Sequence, residues 1–179
     1  YRLKEKSKDL FLDFWNILND DPRRKRSGLY HEIIKEYKGK SIQILILDTR
    51  TFRDNLKPTD FKGAVGKERY IPSLDSSLTM LGDEQWQWLS QKMYTSTDYR
   101  FIISSIQFLA IGHGWECWNN FPYERERLID LIDRSNVKHT VLLSGDRHRG
   151  GHYELKTKSN KIISEMTSSS LNIPYSNSE

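Results

Sequence analysis

Asp146 and His148 stand one residue apart, directly after an apolar run that ends in Ser144-Gly145. A carboxylate and an imidazole together suit a metal centre that mixes hard and borderline donors. In α/β sheets ligands collect beyond the carboxyl ends of the strands, where a strand leading into glycine delivers its next side chains. In extended backbone, residues two apart point the same way, so one strand end would grip one metal or two neighbouring metals. On its own, Asp-x-His is equally at home in a surface loop.

A second apolar run leads into Asp48, Arg50, Arg53 and Asp54. Arginine is the planar donor best matched to phosphate oxygens. Arg50 therefore suits a substrate contact as well as a brace on Asp48, and Arg53 suits a brace on Asp54. Gln107 closes a third run as a neutral amide that either lines a site or packs within its strand. His113 lies between Gly112 and Gly114, a place for a general acid or substrate donor, or for an exposed loop histidine. Trp115 and Trp118 suit either a pocket wall or packing anchors. Glu124, Arg125 and Arg127 read as the solvated or salt-linked face of a helix. His152 is read as structural, with a supporting role beside His148 as the alternative. His31 and His139 join no constellation.

The elements that would carry these residues follow from periodicity. Leu10, Phe11, Phe14, Trp15 and Leu18 recur at helical spacing and predict an amphipathic helix over about 6–18, closed by Asp20-Asp21-Pro22. Residues 41–47, 100–108 and 137–143 read as interior strands. Between them, Leu81-Gly82-Asp83-Glu84 and Pro122 open two helices. Residues 54–77 read as a long irregular excursion. Lys158-Ser159-Asn160 predicts a hairpin turn. The order is helix, strand, helix, strand, helix, strand, hairpin, which is α/β.

Composition narrows the function classes. The 179 residues are 36% hydrophobic and 29% charged, ordinary for one globular domain. No apolar run reaches the roughly 18 residues of a membrane span. The single cysteine, Cys117, rules out an internal disulfide and a cysteine-built zinc site. The net charge of +4 is concentrated in Arg23-Arg24-Lys25-Arg26, a solvated loop or a phosphate- or nucleic-acid-facing patch.

Taken together the motifs are more specific than any one of them. In order they are PRRKRSGLY (22–30), ILDTRTFRD (46–54), MLGDEQWQWL (80–89), SSIQFL (104–109), GWECWNNFPYERERL (114–128), SGDRH (144–148), YELKTKSN (153–160) and EMTSSSL (165–171). In these the chain resembles the PhoD-like (alkaline phosphatase D) family of calcineurin-like metallophosphoesterases. The resemblance implies a four-layer α/β/β/α sandwich, with residues 1–179 as the carboxy-terminal half of the domain. The amino-terminal half would carry most of the metal ligands and be this chain's partner. It implies two metal ions, Fe and Ca before Mn, Mg or Zn, with His148 on the iron-type site and Asp146 on the harder one. It implies hydrolysis of phosphate mono- or diesters, with Arg50 and His113 as candidate catalytic groups and Gln107 and Trp118 as candidate substrate contacts. An extracytoplasmic location also goes with the resemblance. Alone, the chain would expose an apolar face of Ile42, Ile44, Ile46, Ile102 and Ile106. A non-catalytic partner fragment and a basic nucleic-acid-binding module are the alternative readings.

Overall fold

The apolar runs form the middle of a sheet. In the computed structural model, which describes residues 3–174, β2 (Lys40–Ile46), β3 (Tyr99–Ile103), β4 (His139–Ser144) and β6 (Ile162–Ser168) lie side by side and parallel. An antiparallel strand closes each edge, β1 (His31–Tyr37) beside β2 and β5 (Gly150–Lys156) beside β6. Parallel neighbours require crossovers. Two are helical: α3 (Gly82–Lys92) joins β2 to β3, and α4 (Pro122–Arg134) joins β3 to β4. The α/β reading holds.

The sequence reading missed β1. Glu32, Lys35 and Glu36 break its apolar pattern, because an edge strand pairs on one side only and stays wet along much of its length. Its turn into β2 is Lys38-Gly39, both at positive φ (48° and 72°), the conformation that hairpin turns usually signal with Asn-Gly. The predicted hairpin at 158–160 is present, with Asn160 at φ 66°.

Alternation along the strands divides the sheet into two faces. Leu45, Ile102, Leu142 and Ile163 face α3 and α4 and are fully buried with Trp86, Leu89, Leu128 and Ile132. The residues between them, Ile44, Phe101 and Val141 in one register row and Ile46, Ile103, Leu143 and Met166 in the next, face away from the helices. This corrects the expected exposed set. Ile42, Ile44 and Ile46 belong to the open face, whereas Ile102 pairs with Leu45 on the covered face and Ile106 is fully buried beyond the strand end.

The first helix also departs from expectation. α1 spans Lys4–Phe14 and buries only Lys8 and Leu12, while Leu10, Phe11, Phe14, Trp15 and Leu18 are exposed. Its polar side faces the protein: Lys4 Nζ donates to the Thr51 carbonyl, and Lys8 Nζ donates to the Arg26 carbonyl at 2.8 Å. A one-turn helix, α2 (Pro22–Lys25), begins where Asp21 caps the Arg23 amide. Three of the four basic residues of that segment are held internally. Arg23 binds Asp21 through two nitrogens (2.8 and 2.7 Å), Arg24 binds Asp13 (2.8 Å), and Arg26 stacks on Tyr30. The run is a brace for its loop, with Lys25 as its exposed cation.

Glu124 and Arg125 are not solvated either. Glu124 Oε2 accepts from the Thr79 hydroxyl (2.8 Å), the Met80 amide (2.8 Å) and the Trp86 indole (2.6 Å), tying α4 to the start of α3. Among the described residues no helix is long and apolar enough to cross a membrane.

Candidate active site

β4 ends at Ser144, and the chain turns sharply through Gly145. Asp146 and His148 both adopt left-handed backbone (φ 71° and 55°), so the extended geometry expected for this pair gives way to a tight turn. Non-glycine residues rarely hold that conformation, and where they do the surroundings enforce it, often at functional sites. The turn still brings both side chains into one cleft of about 320 Å³, walled by Trp115, Glu116, Arg147, Arg69 and Tyr70. His148 Nδ1 lies 2.8 Å from the Ile173 carbonyl. A carbonyl only accepts, so in the neutral ring Nδ1 carries the proton and Nε2 keeps its lone pair, the tautomer a metal requires.

Arg50 approaches the rim of this cleft from the exit of β2, lining the neighbouring hollow and coming within 3.4 Å of Asp146. Asp48 does not pair with its guanidinium. The Asp48 carboxylate accepts from the Leu29, Arg50 and Thr51 amides (2.8, 2.9 and 2.8 Å) and from the Thr51 hydroxyl (2.7 Å). With its lone pairs occupied by backbone donors, Asp48 shapes the loop and leaves the Arg50 head group to pair with Glu116 and, at 3.4 Å, with Asp146. Arg53 also turns to Glu116 (2.6 Å), while Asp54 accepts from the Thr79 amide (2.8 Å). Glu116 thus sits between two guanidinium groups. The sequence reading overlooked it, because the single carboxylate in the Trp115-Glu116-Cys117-Trp118 stretch has no local pattern that announces a partner nearly seventy positions upstream.

The long excursion is ordered by that same loop. The Arg69 and Tyr70 amides both donate to the Gly114 carbonyl at 2.8 Å, and Glu68 accepts from the Gly114 amide at 2.6 Å. A Cβ at Gly114 would fall 2.2 Å from the Glu68 nitrogen, so only glycine allows this approach. Arg69 and Arg147 then lie against the Trp115 ring, 5.2 and 5.4 Å from its centroid.

Three expected contributors lie elsewhere. Trp118 is fully buried, edge-on to Trp86 and Phe108, with its indole donating to Ser104 Oγ at 3.0 Å. The 3-10 turn at Trp118–Asn120 rotates it into the core, and Trp115 takes the cleft position. Gln107 is 1% exposed and bonds Tyr153 and Thr167 beneath the cleft floor. His113 is absent from the cleft wall. Its Nδ1 accepts from the Trp115 amide at 3.3 Å, and burial, helped by nearby Arg147, pushes its pKa down to about 4. It is therefore neutral near pH 7 and holds no imidazolium proton to give. Cys117 is buried, its thiol pushed up to about 11, which makes it unreactive. His152 is exposed, 3.8 Å from Glu154, and His139 stacks loosely on Tyr99.

A larger hollow of about 610 Å³ opens between α1 and the exit of β2, lined by Phe11, Leu29, His31, Ile46 and Leu47 with Arg50 among its polar residues. Its lining is mainly apolar and lacks Asp146 and His148, so the smaller cleft is the better seat for chemistry. Among the described residues no group of three or more His, Cys, Asp or Glu is gathered closely enough to hold a metal ion.

Comparisons with known proteins bear on the family and on the fold. The model of the PhoD-like phosphatase family matches residues 8–179. Alkaline phosphatase D of Bacillus subtilis (strain 168) is 30% identical over 131 residues, covering 66% of this chain and 22% of the relative. A solved structure described as that of PhoD superposes with a TM-score of 0.65 at 23% identity, covering 93% of this chain and 34% of that one. The chain thus spans about a fifth of one relative's length and a third of the other's.

Proposed function

The chain belongs to the PhoD-like phosphatase family, and from that premise we propose that it supplies one side of a two-metal site that hydrolyses phosphate monoesters or diesters. The observation that carries this is the convergence of Asp146, His148 and Arg50, from two separate strand ends, on adjoining positions at one edge of the sheet. The donor chemistry fits metal. Asp146 offers a partly exposed carboxylate with the Arg50 guanidinium 3.4 Å away, and His148 is held in the tautomer that leaves Nε2 available. The family resemblance favours Fe and Ca, with Mn, Mg and Zn as alternatives, and one imidazole beside one hard carboxylate is compatible with any of them. Metal bound there would hold the phosphoryl oxygens and lower the pKa of a bound water.

The chain's own residues have distinct tasks in this reading. Asp146 and His148 bind from one turn. Arg50 orients the Asp146 carboxylate and presents a guanidinium toward a phosphate oxygen, where it offsets developing negative charge. Glu116 and Arg53 keep the Arg50 head group at the cleft. Trp115 gives a flat apolar wall on one side. Two nominated donors are too few for two ions, and among the described residues the sheet face away from α3 and α4 is only half-buried and the aromatic side of α1 is exposed. Both features suit a domain completed by an amino-terminal half, which would bring the remaining ligands.

His148→Ala in the complete protein should lower metal content and hydrolysis together, and unchanged metal stoichiometry would overturn the assignment. Arg50→Lys keeps the charge but loses the planar fork, so transition-state stabilisation should fall by about 1–3 kcal/mol, the scale of a charged hydrogen bond. The 179 residues alone, assayed with Fe, Ca, Mn, Zn or Mg, should not turn over a chromogenic phosphate ester. Turnover by a monodisperse monomer would refute the shared site.

A further inference from the structure

Behind the Asp146–His148 turn runs a buried chain of side-chain hydrogen bonds. Gln107 Nε2 donates to Thr167 Oγ1 at 3.0 Å and to the Tyr153 hydroxyl at 3.1 Å. The Thr167 hydroxyl lies 2.9 Å from Ser144 Oγ. Ser144 is the last residue of β4, and Asp146 follows after one glycine. The chain therefore links the loop beyond β3, strands β5 and β6, and the root of the turn.

Gln107 is itself tightly held. Its carbonyl accepts from the Trp118 amide at 2.9 Å. The next two amides, of Phe108 and Leu109, donate to the fully buried Glu165 carboxylate at 2.8 and 2.6 Å. The carbonyls of the same two residues accept from Arg125 at 2.8 and 3.3 Å. Glu165 is two residues before Thr167 on β6, so one strand fixes both the Gln107 backbone and the partner of its amide.

We propose that Gln107 is a positioning residue, holding the Asp146–His148 turn in its metal-binding shape through Thr167 and Ser144. Two features separate this from ordinary core filling. The β4–β6 pairing ends at Ser144–Thr167, so beyond that point no ladder holds the two left-handed residues, and the side-chain clamp is the last fixed point before them. Gln107 Oε1 is also buried without a hydrogen-bond partner among the described residues. An unsatisfied buried amide oxygen opposes folding. A methionine would fill the same space but hold neither Thr167 nor Tyr153, so that substitution isolates what the two N–H groups do.

The proposal rests on the metal-site reading, and its test keeps the two apart. Gln107→Met in the complete protein preserves volume and removes both donors. Thermal stability should stay level or rise, while affinity for the metal, measured by chelator competition, falls about 10- to 100-fold, as when a group supporting a metal ligand is lost. Thr167→Val breaks the same chain one link on. It should weaken affinity in the same direction, and adding it to Gln107→Met should produce little further loss. Thr140→Val, buried at the opposite end of β4, serves as the control and should leave affinity unchanged. Affinity within twofold of the parent in both folded variants overturns the positioning role. An equal loss in the Thr140 control does so too, by tracing the effect to general stability. A parent protein that binds no metal overturns the metal-site reading, and this proposal with it.

Discussion

The two faces of the sheet have nearly the same strand composition and opposite surroundings. On the covered face, Leu45, Ile102 and Leu142 meet α3 and α4 and lose all contact with solvent. On the other, Ile44, Phe101 and Val141 stand in matching register and are half-buried, with α1 across the hollow at the Ile46 end. Parallel strands that are apolar on both faces are built to be covered on both. The covered face is closed by α3 and α4, whereas the other face is only half-buried, with α1 turning its polar side inward. The candidate site lies at the strand ends, where the two faces meet.

The largest expected difference between the faces comes from adjacent residues of β3. Ile102→Ala opens a cavity under α3 and α4 and should cost about 2–5 kcal/mol in the 179-residue chain, as large-to-small core changes do. Ile103→Ala, on the open face, should cost under about 1 kcal/mol there. In the complete protein its cost should rise toward that of Ile102→Ala. Denaturant unfolding of both variants in both contexts measures this, and equal costs in the short chain would break the comparison.

A polar version of the contrast runs along α4. Glu124 is buried and accepts from three groups of the α3 entry, so Glu124→Leu strands those donors and should cost about 1–3 kcal/mol. Glu126, two residues on, is exposed and pairs with Arg125. Its leucine variant should stay within about 0.5 kcal/mol of the parent. Comparable costs would mean that Glu124 is no hub.

What the sequence disclosed, and what it hid, follows the same division. Interior strands and both crossover helices were legible because burial writes a continuous apolar run or a helical period into local sequence. The Ser144-Gly145-Asp146 lead-in was legible because a strand end followed by glycine is also local. The face to which Ile102 belongs depends on register with β2, and the partners of Arg50 depend on a loop 66 positions downstream, so neither is encoded nearby. Glu124 looked solvated because its neighbours Arg125, Glu126 and Arg127 are charged, while its role is set by donors from Thr79, Met80 and Trp86, some forty positions upstream. Trp115 and Trp118 were indistinguishable until the 3-10 turn sent one to the cleft and the other to the core.

A smaller effect should come from His113, at the covered end of the site loop. Its folded pKa, near 4, lies below the ordinary 6.5 because burial and Arg147 disfavour the imidazolium, with Glu68 opposing weakly. Between these values the unfolded chain binds the proton and the folded chain does not. Its contribution is therefore complete above about pH 6.5 and is lost as pH falls toward 4. His113→Gln should flatten that limb of the stability curve. An unchanged slope between pH 6.5 and 4.5 would show that the ring is not excluded from solvent as described.

The smallest stability change is expected on the outer side of α1, where the contrast with the covered face is sharpest. Phe14 and Trp15 meet edge to face at 5.2 Å, and Phe11 lies 6.2 Å from Trp15, yet all three are largely exposed. The helix is fastened by Lys4 and Lys8 instead, so these rings contribute little to holding it in place. Phe14→Ser with Trp15→Gln should shift unfolding by about 0.5 kcal/mol or less, the usual range for surface changes. Removing an exposed aromatic patch should nonetheless reduce self-association, because contiguous apolar surface of this kind drives contact between molecules. Sedimentation over a range of protein concentrations would register that loss while the melting transition stays in place. A large fall in stability would mean that α1 is anchored through its rings, and the outer side would then count as core. Unchanged association would point to the open sheet face as the adhesive surface, which Ile44→Thr and Val141→Thr, on β2 and β4 either side of Phe101 in one register row, would then diminish.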